Sequence, residues 1–204
     1  MTAQIKSSGG QAISLRADVS VEADVTRMAE QALSNFGRID ILVNNAGVNL
    51  PYRRVVDLTV KDWNYVVGVN LTGPFLCARA VLPSMILQRH GKIINIASIG
   101  GRKGAAGRTP YRPTKAAIIN FTECLAAEVK EYNIDVNAIC PGAVDTDMLR
   151  EISGGRPRNA DSPDQIAAVA VFLACDEGAG ITGTAVDAFG RSNPLFRTQS
   201  STKG

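Results

Sequence analysis

Short apolar runs, solid with Ile, Val and Ala, alternate along this chain with longer stretches whose apolar residues recur at helical spacing. Few folds accept that alternation. The runs are AISLRAD at 12–18, IDILVNNAG at 39–47, KIINIAS at 92–98, IDVNAIC at 134–140 and TGTAVDA at 182–188. The helical patterns fall at about 20–37, 60–89, 113–132 and 164–175. The runs do not alternate apolar with polar, as strands with one wet face would, so they read as parallel strands covered on both faces. Strand and helix in repeated succession with short connections predict an α/β, doubly wound, Rossmann-like parallel sheet. Ligands of such a sheet bind beyond the carboxyl ends of its strands. Local signals agree: Ser20 is placed to cap the first long helix, Glu22 and Asp24 suit its positive end, and Gly37 suits its stop.

The 204 residues fit one domain, read as 1–190, followed by a loose polar tail at 191–204. With 45% hydrophobic residues the chain reads as globular rather than disordered. A net charge of +3 gives no footprint for nucleic acid. The longest wholly apolar run, at 166–175, is too short for a bilayer, and the first ten residues have no apolar core. Four widely spaced cysteines without a C-x-x-C pair suit reduced thiols in the cytoplasm. A single histidine argues against both a metal site and a Ser-His-Asp triad.

The chemistry-bearing stretch is YRPTK, Tyr111 to Lys115, directly after IASIGGRKGAAGRTP. On a helix a spacing of four stacks the phenol and the amine on one face. Ser98 at a strand end and Asn70 within a helical pattern complete a set able to share one site. Singly, each has a plain structural reading: a surface pair, a turn serine, a kink at Thr72–Gly73–Pro74. Pro74 has no N–H, so the carbonyl of Asn70 loses its helical donor if the helix continues. GGRKGAAG fits neither phosphate-loop pattern. Its Arg102, Lys103 and Arg108, with Arg112, could favour an anionic substrate, but a solvated basic loop is the preferred reading.

Together DILVNNAG, VNLTGPF, GKIINIAS, YRPTK and VNAICPGAVDTDM resemble the short-chain dehydrogenase/reductase family over about residues 5–188. The branch most resembled is that of 3-oxoacyl-carrier-protein reductases and sugar-alcohol dehydrogenases. The resemblance implies a secondary alcohol and a ketone interconverted by hydride transfer with NAD or NADP. Tyr111 would be the general acid/base, Ser98 would hold the substrate oxygen, and Asn70 would anchor a proton-relay water. Lys115 would hold the nicotinamide ribose and, together with the cofactor's positive nicotinamide ring, lower the phenol's pKa from its ordinary value near 10, a change of about 4 kcal/mol if it is to work at neutral pH. Asp18 and Val19 would meet the adenine; Asn45, Ala46 and Gly47 would line the ribose. Pro141, Gly142 and Val144 would face the nicotinamide, with Thr146 near the phosphates. The long helices resemble those through which the family forms homodimers and homotetramers.

The family's opening strand, glycine-rich turn, helix and second strand have no counterpart in this sequence, so the resemblance implies an N-terminally truncated fold. In the family's strand order both would lie between AISLRAD and IDILVNNAG, leaving open edges there. The expectation is therefore that this chain is part of a longer protein rather than a shrunken sheet, and that NAD and NADP are not distinguishable. The segment 148–163, where the family carries its substrate loop, is short, and VDAFGR departs from the family's VDGG. The rival expectation is a catalytically inactive remnant that serves only as an oligomerising scaffold.

Overall fold

The computed structural model describes residues 1–155 and 160–190; the predicted tail at 191–204 lies outside the described residues. In chain order come α1 (Thr2–Ser7), α2 (Glu22–Phe36), β1 (Ile41–Asn44), α3 (Val60–Val67), α4 (Gly73–Gln88) and β2 (Gly91–Ile96). They are followed by α5 (Tyr111–Val129), β3 (Ile134–Pro141), α6 (Asp147–Ser153), α7 (Pro163–Ala174) and β4 (Ala185–Ala188). The strands form one parallel sheet in the order β1-β2-β3-β4.

The apolar density of the central strands follows from what lies on each face. Ile93 and Val136 pack on Val81 and Met85 of α4 and on Leu125 and Val129 of α5. Ile94 and Ile139 point the other way, onto Leu173 of α7. Helices thus cover β2 and β3 on both sides, as a doubly wound sheet requires. β1 departs from that expectation. Its Leu42 joins the α2 and α4 side, but Ile41 and Val43 are 46% and 45% exposed, because α7 packs against β2 and β3.

Two local expectations fail. Residues 12–18 form no strand. Their composition suits one, but a strand exists only by pairing its backbone with a neighbour, and no ladder reaches this segment. Ser20 does not cap α2. Its hydroxyl and its N–H both donate to Asp18 Oδ1, at 2.7 and 2.9 Å, so Val21 takes the cap position without a side-chain bond. The nearer carboxylate outcompeted the helix end. Gly37, at φ +77°, closes α2 as the sequence suggests.

The helical pattern from residue 60 is one continuous stretch interrupted in the middle. Thr59 and Asp62 start it with a reciprocal capping box. At Gly68–Thr72 it widens into a π-turn, immediately before Pro74. By length and composition alone Val60–Gln88 could cross a bilayer. Here it lies against the sheet, with Val66, Asn70, Val81 and Met85 in the interior.

Candidate active site

The site forms where β2 leaves the sheet. Ala97 N–H still donates to Ile139 O at 2.7 Å, and the chain leaves the ladder at Ser98. Ser98 is extended and 9% exposed, and its Oγ accepts Gly100 N–H at 3.0 Å. The same hydroxyl lies near enough to the Tyr111 phenol to act on its titration. The loop can lie this close to α5 only because residue 101 is glycine. A Cβ there would stand 2.7 Å from the carbonyl oxygen of Lys115. The glycines discounted as a phosphate loop thus serve close packing.

Tyr111 opens α5 and Lys115 follows one turn later on the same face, Nζ 5.8 Å from the ring centroid. The amine donates to Ile96 O at 2.6 Å. Burial lowers its pKa from 10.5 to about 8. For Tyr111 the expected lowering belongs to the cofactor-bound site, and the chain alone shows the opposite direction. Burial raises the phenol above its ordinary value, and the Ser98 hydrogen bond and the Arg112 charge pull back only part of the way. The phenol of this chain alone is therefore neutral at neutral pH, the state that can give a proton.

Asn70 sits in the π-turn, 1% exposed, and its amide is occupied at both ends. Oδ1 accepts Val48 N–H at 2.8 Å; Nδ2 donates to Val48 O at 2.8 Å and reaches Thr114 Oγ1 at 3.4 Å. Thr114 in turn donates to Tyr111 O at 2.7 Å. The side chain thus staples the turn after β1 to the start of α5. A Cβ on Gly47 would lie 3.6 Å from Asn70 Oδ1 and 3.7 Å from Lys115 Nζ, so the two meet at that turn. Asn70, Ser98, Tyr111 and Lys115 are brought together.

The remaining predicted positions surround this set at two levels. Asn45 and Ala46 are exposed at the carboxyl end of β1, and Gly47 is half-buried beside Lys115. Pro141 ends β3, and Gly142 N–H donates to Ala188 O of β4. Val144 bridges to Asp161, and Thr146 caps α6, its Oγ1 accepting Leu149 N–H. Val19 leans on Gly73 at the end of the π-turn, while Asp18 is exposed and its carboxyl held below the usual range by Ser20. Val19 thus touches the start of α4 and Asp18 bonds to Ser20 and Asp24, both apart from the Ser98–Tyr111–Lys115 group.

Residues 1–156 match the family described as short chain dehydrogenase. The chain belongs to the short-chain dehydrogenase family. This short-chain dehydrogenase is 37% identical over 191 residues to a 3-oxoacyl-[acyl-carrier-protein] reductase of Synechocystis, covering 90% of this chain and 76% of that one. Among solved structures it resembles a 3-ketoacyl-(acyl-carrier-protein) reductase from Brucella melitensis complexed with NADH. The TM-score is 0.85 at 32% identity, with 93% of this chain and 82% of that chain covered. It also resembles ElxO with NADP bound, at a TM-score of 0.79 and 30% identity over 85% of this chain and 75% of that one. By family, then, it is an oxidoreductase of the 3-oxoacyl-carrier-protein-reductase-like branch.

Sequence reasoning missed the scaffold beneath the short-chain dehydrogenase's site. Asn44 Nδ2 donates to Asn95 Oδ1 at 2.9 Å, Asn95 Nδ2 donates to Thr122 Oγ1 at 3.0 Å, and Thr122 donates to Ile118 O at 2.8 Å. This buried chain pins β1, β2 and α5 together. Its signal was an asparagine inside KIINIAS, a polar residue in a run otherwise fit for the core.

Proposed function

We propose that this chain interconverts a secondary alcohol and a ketone by hydride transfer with NAD or NADP, with Tyr111 as the general acid/base. The observation that carries this reading is the buried Lys115 amine one turn from the Tyr111 phenol, with the buried Ser98 beside them at the end of β2. The two solved relatives carry NADH and NADP, which supports the cofactor class without choosing within it.

The residues present suit the nicotinamide half of such a cofactor. Lys115 has three N–H donors, of which one is spent on Ile96 O, and its Nζ faces the Gly47 turn. Asn45, Ala46 and Gly47 from one strand end and Pro141, Gly142, Val144 and Thr146 from another would hold it, with Asp18 and Val19 toward the adenine. The nicotinamide, when bound, supplies or takes the hydride and, when oxidised, adds positive charge near the phenol. Ser98 Oγ–H holds the substrate oxygen as negative charge grows on it. Tyr111 Oη gives that oxygen its proton in reduction and takes it back in oxidation. Asn70 keeps the Val48 turn and the start of α5 in register.

The same reading assigns a small-molecule substrate, a cytoplasmic setting and a homodimer or homotetramer. Its support for association is a groove of about 390 Å³ between α4 and α5, lined by Phe75, Leu82, Ile86, Phe121 and Leu125. The test is Tyr111→Phe, followed by nicotinamide absorbance with a panel of ketones. Turnover should fall by about 10²–10⁴-fold while the folded spectrum is kept. Undiminished turnover would remove Tyr111 from its role. A well-folded wild type that binds neither cofactor would favour the scaffold reading.

A further inference from the structure

Four cations lie in or beside the loop ahead of Tyr111, and the structure separates them. Arg102 is fastened to β4: Nε donates to Asp187 Oδ1 at 3.0 Å and Nη2 to Ala185 O at 2.7 Å. Arg112 ties the loop to α5, Nη1 donating to Lys103 O at 2.5 Å. Lys103 is exposed. Arg108 is different. It is partly buried, and its Nη1 is the one buried side-chain nitrogen or oxygen among the described residues without a hydrogen-bond partner.

The root of that side chain is fixed. Gly107, at φ +65°, is seated so close to Tyr52 that a Cβ would stand 2.2 Å from the ring, and its carbonyl accepts Arg53 N–H at 3.3 Å. Arg108 O accepts Arg112 N–H at 3.0 Å, three residues from the phenol-bearing position. Several carboxylates of the surrounding segments are already engaged, Asp57 by Arg54, Asp62 by Arg53 and Asp187 by Arg102. A buried guanidinium N–H without an acceptor is rare in folded proteins and calls for an explanation. Its planar fork matches the two oxygens of a carboxylate or phosphate.

We propose that Arg108 recognises an anionic oxygen group on the substrate, a carboxylate or a phosphate ester, so that the ketone turned over is a charged one. This rests on the alcohol–ketone reading above and narrows its substrate class. The basic loop is then not a solvated patch: one cation braces the sheet, one braces the helix, and one is kept for the ligand.

The test is a ligand-observed NMR titration of the 204-residue chain with three ketones: 3-oxobutanoate, 2-oxopropyl phosphate and the neutral methyl 3-oxobutanoate. The wild type should bind one of the anions roughly tenfold or more tightly than the neutral ester, and which anion it prefers names the source of the charge. In Arg108→Gln the preference should fall to within about twofold, and Arg108→Lys, which keeps the charge without the fork, should retain part of it. Equal binding of all three by the wild type, binding of none, or a preference that survives in Arg108→Gln would each overturn the proposal. Should the glutamine variant fail to fold, an undiminished preference in Arg108→Lys overturns the two-oxygen fork. Turnover is not read in this titration, so the Tyr111→Phe experiment and this one can fail separately.

Discussion

The centre of the sheet and its β1 edge are built from similar residues and differ in what covers them. In the centre, Ile93, Ile94, Val136 and Ile139 are each at most 1% exposed, and even the polar Asn95 is fully buried and bonded at both ends of its amide. At the edge, Ile41 and Val43 remain nearly half exposed on the face that α7 does not reach. Apolar composition alone therefore does not measure how much a strand contributes. What counts is whether a helix lies on each face and whether the polar groups close on one another.

The largest test of that contrast is Asn95→Ala. It takes from Asn44 Nδ2 its short acceptor, leaving only Pro74 O at 3.5 Å, takes from Thr122 Oγ1 the donor it accepts, and opens a cavity, so urea unfolding should show a loss of about 3–5 kcal/mol. A loss below about 1 kcal/mol would mean that the buried chain does not hold the centre together.

Lys115 sharpens the comparison through pH. Its folded pKa, about 8, lies below the ordinary 10.5, so the unfolded chain holds this proton to higher pH than the folded one. Stability should therefore be lowered by the buried charge below pH 8 and recover as pH rises from 8 toward 10.5. Between pH 8 and 10 the wild type should gain about 2–3 kcal/mol on Lys115→Met, read from paired denaturation curves. Tyr111 works in the opposite sense, because its raised pKa costs stability only above its ordinary value near 10. Parallel curves for the two proteins would show that the amine is not buried as described.

The smallest effect belongs to the edge. Val43→Thr should change stability by less than about 0.5 kcal/mol, because that side chain is already half in water. A cost above about 1.5 kcal/mol would show that something covers β1 in the working protein, and the contrast between edge and centre would dissolve.

These differences also mark what could be read before the structure. The doubly wound class, the four observed strands and the meeting of Ser98, Tyr111 and Lys115 follow from short-range signals: apolar density, helical spacing and residues at strand ends. Residues 12–18 carry the same signal as a strand and form none, because pairing is decided by a neighbour and not by the segment itself. The cap at Ser20 failed to a carboxylate two residues away, a competition that propensity does not rank. The Asn44–Asn95 bond joins positions 51 apart, and Arg102–Asp187 positions 85 apart; neither spacing leaves a periodic trace. The direction of the Tyr111 shift was hidden for a related reason. Spacing places the amine beside the phenol, but the burial that raises the phenol is decided by the fold around it.

A π-turn holds one residue more than an α-helix needs, so Gly68–Thr72 amounts to an insertion preserved in the middle of a long helix. A single-codon deletion there would restore regular winding and, because the widened turn already absorbs the extra residue, would leave Gly73–Gln88 close to its present phase relative to Val60–Val67. Ala78, Val81 and Met85 would keep their places in the core, whereas the widened turn from which Asn70 reaches Val48 would be lost. Reading frame and helix phase would both survive such an event, so what the irregular turn preserves is the seating of Asn70 rather than the packing of the helix beyond it.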